Sequence, residues 1–160
     1  MRLAIAAVGR LKDKGESHLA QRYCERIDAA GRGVALGPLR SIELSESRAA
    51  TAQARQDDES ERLLGSVATA DCRVALDETG RGMTSVAFAG WLTRMRDDGI
   101  REVAFLVGGP DGHGAALRTS ADLVVSLSAM TLPHGLARVF LLEQIYRAIT
   151  ITAGHPYHRA

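Results

Sequence analysis

The sequence predicts an α/β domain, a parallel sheet of five to six strands with helices on its flanks. Two patterns carry this. Short apolar runs alternate with stretches of helical periodicity along the whole chain, as in strands joined by crossover helices. The run from Val103 to Val107 is apolar without a break, as a strand buried on both faces requires. With 160 residues, 46% hydrophobic and 24% charged, the chain can enclose a core without a disulfide or metal. No repeat or Pro/Gly/Ser linker interrupts it, so residues 1–160 read as a single domain.

Leu3 to Val8 is the first strand, and Gly15 to Ile27 a helix whose Leu19, Tyr23 and Ile27 fall four apart on one face. A second strand is expected over Val34 to Leu44, at an edge or with a bulge because Gly37-Pro38 interrupts it. Ser45 or Ser47 can cap the next helix, Arg48 to Leu64, whose polar composition predicts an exposed face. Arg73 to Asp77 is the third strand, and Glu78 to Gly82 reads as a turn. Thr84 caps a helix through Met95 that stops at Asp97-Asp98-Gly99. After the strand Val103 to Val107 come a short helix, Ala115 to Ser120, and a fifth strand, Leu123 to Leu127. The last helix, about His134 to Thr152, carries Leu136, Val139, Phe140, Leu141, Leu142, Ile145 and Ile149 and has hardly any polar face. One side of it is expected on the sheet and another against a second copy of the chain, which predicts a homodimer.

Charge is balanced overall at +1 but not along the chain: residues 1–40 carry eight basic and four acidic side chains, residues 41–64 three and six. A strongly basic nucleic-acid binder is excluded by composition, so any such partner has to be recognised locally. Eighteen of the 20 basic residues are Arg, which suits phosphate recognition and equally reflects base composition. Cys24 and Cys72 form no CxxC pair, and two isolated thiols suit a reducing compartment. The apolar start is too short for a signal peptide, and the longest uncharged stretch, Leu123 to Ala137, is too short and too polar to span a membrane. The expected location is cytoplasmic.

Three segments can carry chemistry. LVGGPDG, Leu106 to Gly112, leaves a buried strand at its carboxyl end, where open parallel sheets bind ligands and glycine lets backbone approach them. It is neither a Rossmann GxGxxG nor a P-loop. Substitution of Gly109 by Val is expected to fill ligand space and spare the fold. SLSAMTLPHG, Ser126 to Gly135, offers hydroxyls, exposed backbone and an apolar wall for a flat ring. It also admits a hydrolase reading, with Ser126 or Ser128 as nucleophile and His134 as base, although no GxSxG elbow is present. GHPYHR, Gly154 to Arg159, combines a possible phosphate ligand in Arg159, a stacking or hydrogen-bonding Tyr157, and proton-handling His155 and His158. Its HxxH spacing supplies too few ligands for zinc, and no metal is expected.

AVGRLKD, VALDETGRGMTS, FLVGGPDG, SLSAMTLPHGLARVFLLEQIYRA and GHPYHR occur in this order from the first residues to Arg159. Together they resemble the RlmH (YbeA) family of SPOUT-superfamily methyltransferases. The resemblance implies an S-adenosylmethionine-dependent enzyme that methylates N3 of a pseudouridine in 23S ribosomal RNA, acting on an assembled ribosome. It further implies a C-terminal trefoil knot, which connectivity rules alone would exclude, and an obligate homodimer. Carried over residue by residue, it places cofactor contacts at Leu76, Gly108, Gly109, Leu127, Ser128, Ala129, Met130, Thr131 and Leu132. His134, Tyr157, His158 and Arg159 are the expected catalytic set. The competing reading from another class is a non-catalytic ribosome-binding or assembly module with the same fold.

Overall fold

A computed structural model describes residues 1–158. In chain order the elements are β1 (Arg2–Val8), α1 (Lys14–Gly31), β2 (Leu39–Leu44), α2 (Ala52–Ser66), β3 (Cys72–Gly82), α3 (Ser85–Asp97), β4 (Glu102–Val107), α4 (Ala115–Ser120), β5 (Leu123–Ser126) and α5 (His134–Thr152). The five strands form one sheet in the order β2-β1-β4-β3-β5, and every pairing is parallel. The central strands β1 and β4 are buried along almost their whole length, as their unbroken apolar sequences require.

Alternation along the strands divides the core in two. Leu3, Ile5, Ala7, Val103 and Phe105 point to one face, which α1, α3 and α5 cover with Ile27, Leu92, Leu141, Ile145 and Ile149. Ala4, Ala6, Val8, Ala104 and Leu106 point to the other, under Leu63 of α2 and Leu117 of α4. The small residues Ala4, Ala6 and Ala104 let α2 lie close to the sheet.

Three expected boundaries move. The helix expected from Arg48 with a Ser45 or Ser47 cap starts at Ala52 instead, because Thr51 Oγ1 accepts from Ala54 N–H at 3.1 Å and caps it there. The second strand starts at Leu39 instead of Val34, because Arg32–Val34 form a 3₁₀ turn and Ala35 takes a left-handed φ of 54°. Pro38, after a cis peptide, has no N–H for the ladder, so pairing begins one residue later, on the sheet edge. The expected turn over Glu78–Gly82 is strand instead. The β3–β5 register shifts between Leu76 and Arg81, and Arg81 and Gly82 resume pairing with Val125 and Ser126. Gly80 permits this, since a Cβ there would lie 2.6 Å from the Val125 carbonyl carbon. That bulge turns Asp77 and Thr79 toward the carboxyl rim of the sheet, where a cleft opens.

At the opposite rim, Glu102 is 3% exposed and accepts from Arg40 Nη2 at 2.6 Å and from Arg2 Nε at 3.0 Å. One carboxylate thus ties β4 to β1 and β2. The Arg40 hydrogen bond, outweighing burial and reinforced by Arg2, holds its pKa below the usual carboxylate range. A depressed carboxyl pKa stabilises the fold above the unfolded value, about 4.3, and that contribution is lost as pH falls through the folded value. Glu102→Gln is expected to cost about 2 kcal/mol at pH 7. It should also flatten the acid limb of a plot of Tm against pH, and parallel acid limbs for the two proteins would contradict this role.

Candidate active site

The carboxyl ends of β3, β4 and β5 surround a cleft of about 400 Å³. Leu76, Val107, Leu127, Met130 and Leu132 give it apolar walls; Gly108, Gly109, Ser126 and Ser128 bring backbone and hydroxyl groups to it. Of the nine expected cofactor contacts, Leu76, Gly108, Gly109, Leu127, Ser128, Met130 and Leu132 line this one space. Ala129 and Thr131 are exposed in the loop between β5 and α5 and are not part of the lining.

The glycine turn after β4 is held from below by α2, which sequence reasoning treated only as a polar surface helix. Arg55 clasps Asp111 through Nε at 2.7 Å and Nη2 at 3.3 Å, and this keeps the Asp111 carboxyl below its ordinary range. Gln56 Nε2 donates to the Asp111 carbonyl, and Gly114 N–H donates to Ser60 Oγ at 2.9 Å. Glu59, 3% exposed, accepts from Ser47 N–H at 2.8 Å through Oε1. The signal for this support was the Arg55-Gln56…Glu59-Ser60 spacing, which puts all four side chains on neighbouring turns of one helix.

The two glycines of the turn differ. A Cβ on Gly108 would meet Gly112 backbone at 3.1 Å and the His113 ring at 3.3 Å, so its absence keeps the turn tight. A Cβ on Gly109 would point into the protein, 2.8 Å from Glu59 Oε2 and 3.1 Å from Val8 Cγ1. The expectation that Gly109→Val spares the fold is therefore revised. The substitution should cost about 1–3 kcal/mol by overpacking and also displace the loop from the cleft. Calorimetric titration with S-adenosylmethionine should show lost affinity together with a lowered Tm, and normal values of both would refute the assignment of this turn to ligand binding.

Asp77, Thr79, His113 and Arg118 also line the cleft and escaped the sequence reading. Asp77 is pushed up by burial, but hydrogen bonds from Thr79 and the charge of Arg118, 3.5 Å away, more than offset this and keep it ionised. His113, 2% exposed, is driven toward its neutral form by burial, with Nε2 3.2 Å from the Leu106 carbonyl. Asp77-x-Thr79 is a legible side-chain turn, but its position beside the glycine turn depends on strand order.

His134 opens α5 and lines the cleft. The hydrolase reading does not survive its surroundings: Ser126 Oγ donates to the Ser128 carbonyl at 2.9 Å, and Ser128 Oγ accepts from Met130 N–H at 2.9 Å. Both hydroxyls fold the loop, and neither is paired with His134. Tyr157 and His158 lie beyond the other end of α5, a helix of 19 residues and thus roughly 28 Å long. The Tyr157 ring stands edge-on to Tyr146 with centroids 4.8 Å apart, and its hydroxyl donates to Glu143 Oε1 at 3.2 Å. Burial, with hydrogen bonding to Tyr23 and Glu143, raises its pKa far above the usual phenol value, so it serves as a donor and not as a base. Arg159 lies outside the described residues. One protomer therefore brings His134 to the cleft, whereas Tyr157 folds back from the end of α5 to its middle, and neither Tyr157 nor His158 lines the cleft.

Residues 1–158 match the family model described as "Predicted SPOUT methyltransferase". The chain belongs to the SPOUT methyltransferase family. Relatives within it include the ribosomal RNA large subunit methyltransferase H of Xanthobacter autotrophicus, 48% identical, and that of Brucella anthropi, 46% identical. In both cases the match covers 100% of this chain and 100% of the relative. A SPOUT methyltransferase of this kind requires a pocket for its methyl donor. The cleft matches that donor in mixed character: apolar walls for a purine ring, and backbone and hydroxyl groups for a ribose and an amino-acid moiety.

Proposed function

We propose that the chain is a single-domain, cytoplasmic methyltransferase that transfers a methyl group from S-adenosylmethionine to N3 of a pseudouridine in 23S ribosomal RNA of the large subunit. The observation that carries this reading is the convergence of seven of the nine expected cofactor contacts on one cleft, in a chain matched end to end by large-subunit rRNA methyltransferases. The knot expected at the C-terminus is part of the same proposal.

Leu76, Leu127 and Leu132 would hold the adenine, and the Gly108–Gly109 turn and the backbone of the loop after β5 would hold the sugar and amino-acid portions. The bound cofactor supplies an already activated methyl group. What remains for the chain is to hold the acceptor in line, exclude water and take up the N3 proton. His134, which lines the cleft, would take that last task.

The tail residues belong to the same reaction only if they come from elsewhere. We therefore include in the proposal a homodimer in which the tail of one protomer lies over the cleft of its partner. The exposed stripe of Leu136, 47% accessible, and Phe140, 39% accessible, on α5 supports this, because it leaves apolar surface uncovered beside the cleft. No helix among the described residues is long and apolar enough to cross a membrane.

The test is mass spectrometry of 23S rRNA from cells lacking this chain. Loss of a methylated pseudouridine, restored by the chain but not by a cleft variant, is expected. Unchanged methylation would refute the assignment. Failure of the folded protein to bind S-adenosylmethionine would favour the non-catalytic module.

A further inference from the structure

A second concavity, an open groove of about 740 Å³, lies at the carboxyl ends of β1 and β2. Arg10, Lys12 and Arg48 line it on two separate loops, and all three are exposed. Among the described residues none of the three takes part in an ion pair. The groove's other cation, Arg62, is already committed to Asp58 at 2.9 Å and to the Ser45 carbonyl at 2.8 Å. That neutralises Asp58, and Glu46 is the remaining carboxylate against three free positive charges. The groove borders the cleft. A Cβ on Gly9, in the groove wall, would lie 3.2 Å from Nε2 of His134, which lines the cleft.

We propose that this groove seats the phosphodiester backbone of the RNA strand flanking the target base, with Arg10, Lys12 and Arg48 on successive phosphates while the base enters the cleft at His134. The proposal rests on the ribosomal RNA reading above and adds to it the surface that holds the strand. The chemistry favours a polyanionic strand over a free nucleotide: the cations are spread along an open trough, and its lining has no aromatic side chain on which a base could stack. Such contacts position the strand without reading its sequence. They also account for how a chain of net charge +1 attracts RNA, by setting three unpaired cations on one short path to the reacting atoms.

The test compares the full-length protein with an Arg10→Ala, Lys12→Ala, Arg48→Ala variant, using assembled ribosomes from cells lacking the chain. KM for the ribosomes should rise at least tenfold, with kcat and S-adenosylmethionine affinity unchanged. Loss of three phosphate contacts to a single strand should reduce the slope of log K against log salt by about 2. A charge-preserving variant, Arg10→Lys, Lys12→Arg, Arg48→Lys, should keep the wild-type slope, and it decides the matter if the alanine variant folds poorly. Equal KM and slope for the alanine variant and wild type overturn the groove. So does a loss of cofactor affinity, or a wild-type slope shallower than three contacts require. Wild-type protein that binds cofactor but leaves these ribosomes unmethylated overturns the ribosomal RNA reading instead.

Discussion

Deleting residues 155–160 is expected to lower methyl transfer by about 10²-fold, the loss that follows when the acceptor is no longer held in line. S-adenosylmethionine affinity should stay at the wild-type level. The separation follows from geometry: the cofactor contacts cluster at the strand ends, whereas Tyr157 packs on Tyr146 and Glu143 in the middle of α5, outside the cleft lining. The tail is not a loose end. His155 N–H donates to the Thr150 carbonyl at 2.9 Å, His155 Nδ1 accepts from Tyr157 N–H at 3.1 Å, and Arg147 lies 5.1 Å from the centre of the Tyr157 ring. Because this anchor is outside its own cleft, the deletion should be rescued in trans. Mixing tail-deleted chains with Leu132→Asp chains, whose tail is intact and whose cleft is not, should restore activity through mixed dimers. Each such dimer pairs one good cleft with one good tail. A truncated enzyme that works at the normal rate would show that the tail plays no part, and absence of rescue would show that each tail serves its own chain.

Leu141→Asp and Phe140→Asp, adjacent on α5, should fail in opposite ways. Leu141 is 1% exposed in the layer shared with α1 and α3, so an aspartate there carries a desolvation penalty of several kcal/mol against a domain stability of about 5–15 kcal/mol. The chain should be largely unfolded. Phe140 is 39% exposed, and an aspartate at that position remains hydrated in a single protomer. Folded but inactive monomers are expected, with a Tm that loses its dependence on protein concentration. Circular dichroism and sedimentation velocity read the two outcomes separately. A wild-type chain that sediments as a monomer at micromolar concentration, or a Phe140→Asp dimer with full activity, would remove the dimer from the mechanism.

Much of the sheet was legible because buried parallel strands write themselves as apolar runs: Leu3 to Val8 and Val103 to Val107 appear in the fold nearly as they read in the sequence. α5 was legible to its ends, between Pro133 and Gly154. What misled was local chemistry whose meaning depends on a distant partner. Glu78–Gly82 has turn composition, yet Gly80 is there so that β3 can pass close to Val125 and pair again. Gly109 looked like space left for a ligand and is space left for Glu59, on another element. The tail and the loop after β5 are both rich in functional side chains, and only the fold shows that the tail docks on the middle of α5 and not over the cleft of its own chain.

The Glu102 clasp has a practical corollary for handling the molecule. It closes the rim where strands begin, and Met1, whose amino group donates to the Ala35 carbonyl at 2.7 Å, sits on that same side. The cleft and the basic groove open where strands end, a strand length of roughly 20 Å away. An affinity tag or a surface tether joined ahead of Met1 therefore leaves both openings clear for a ribosome-sized substrate. The same attachment made after the tail loads the residues that dock on α5. Immobilised binding measurements should be built on the amino-terminal rim.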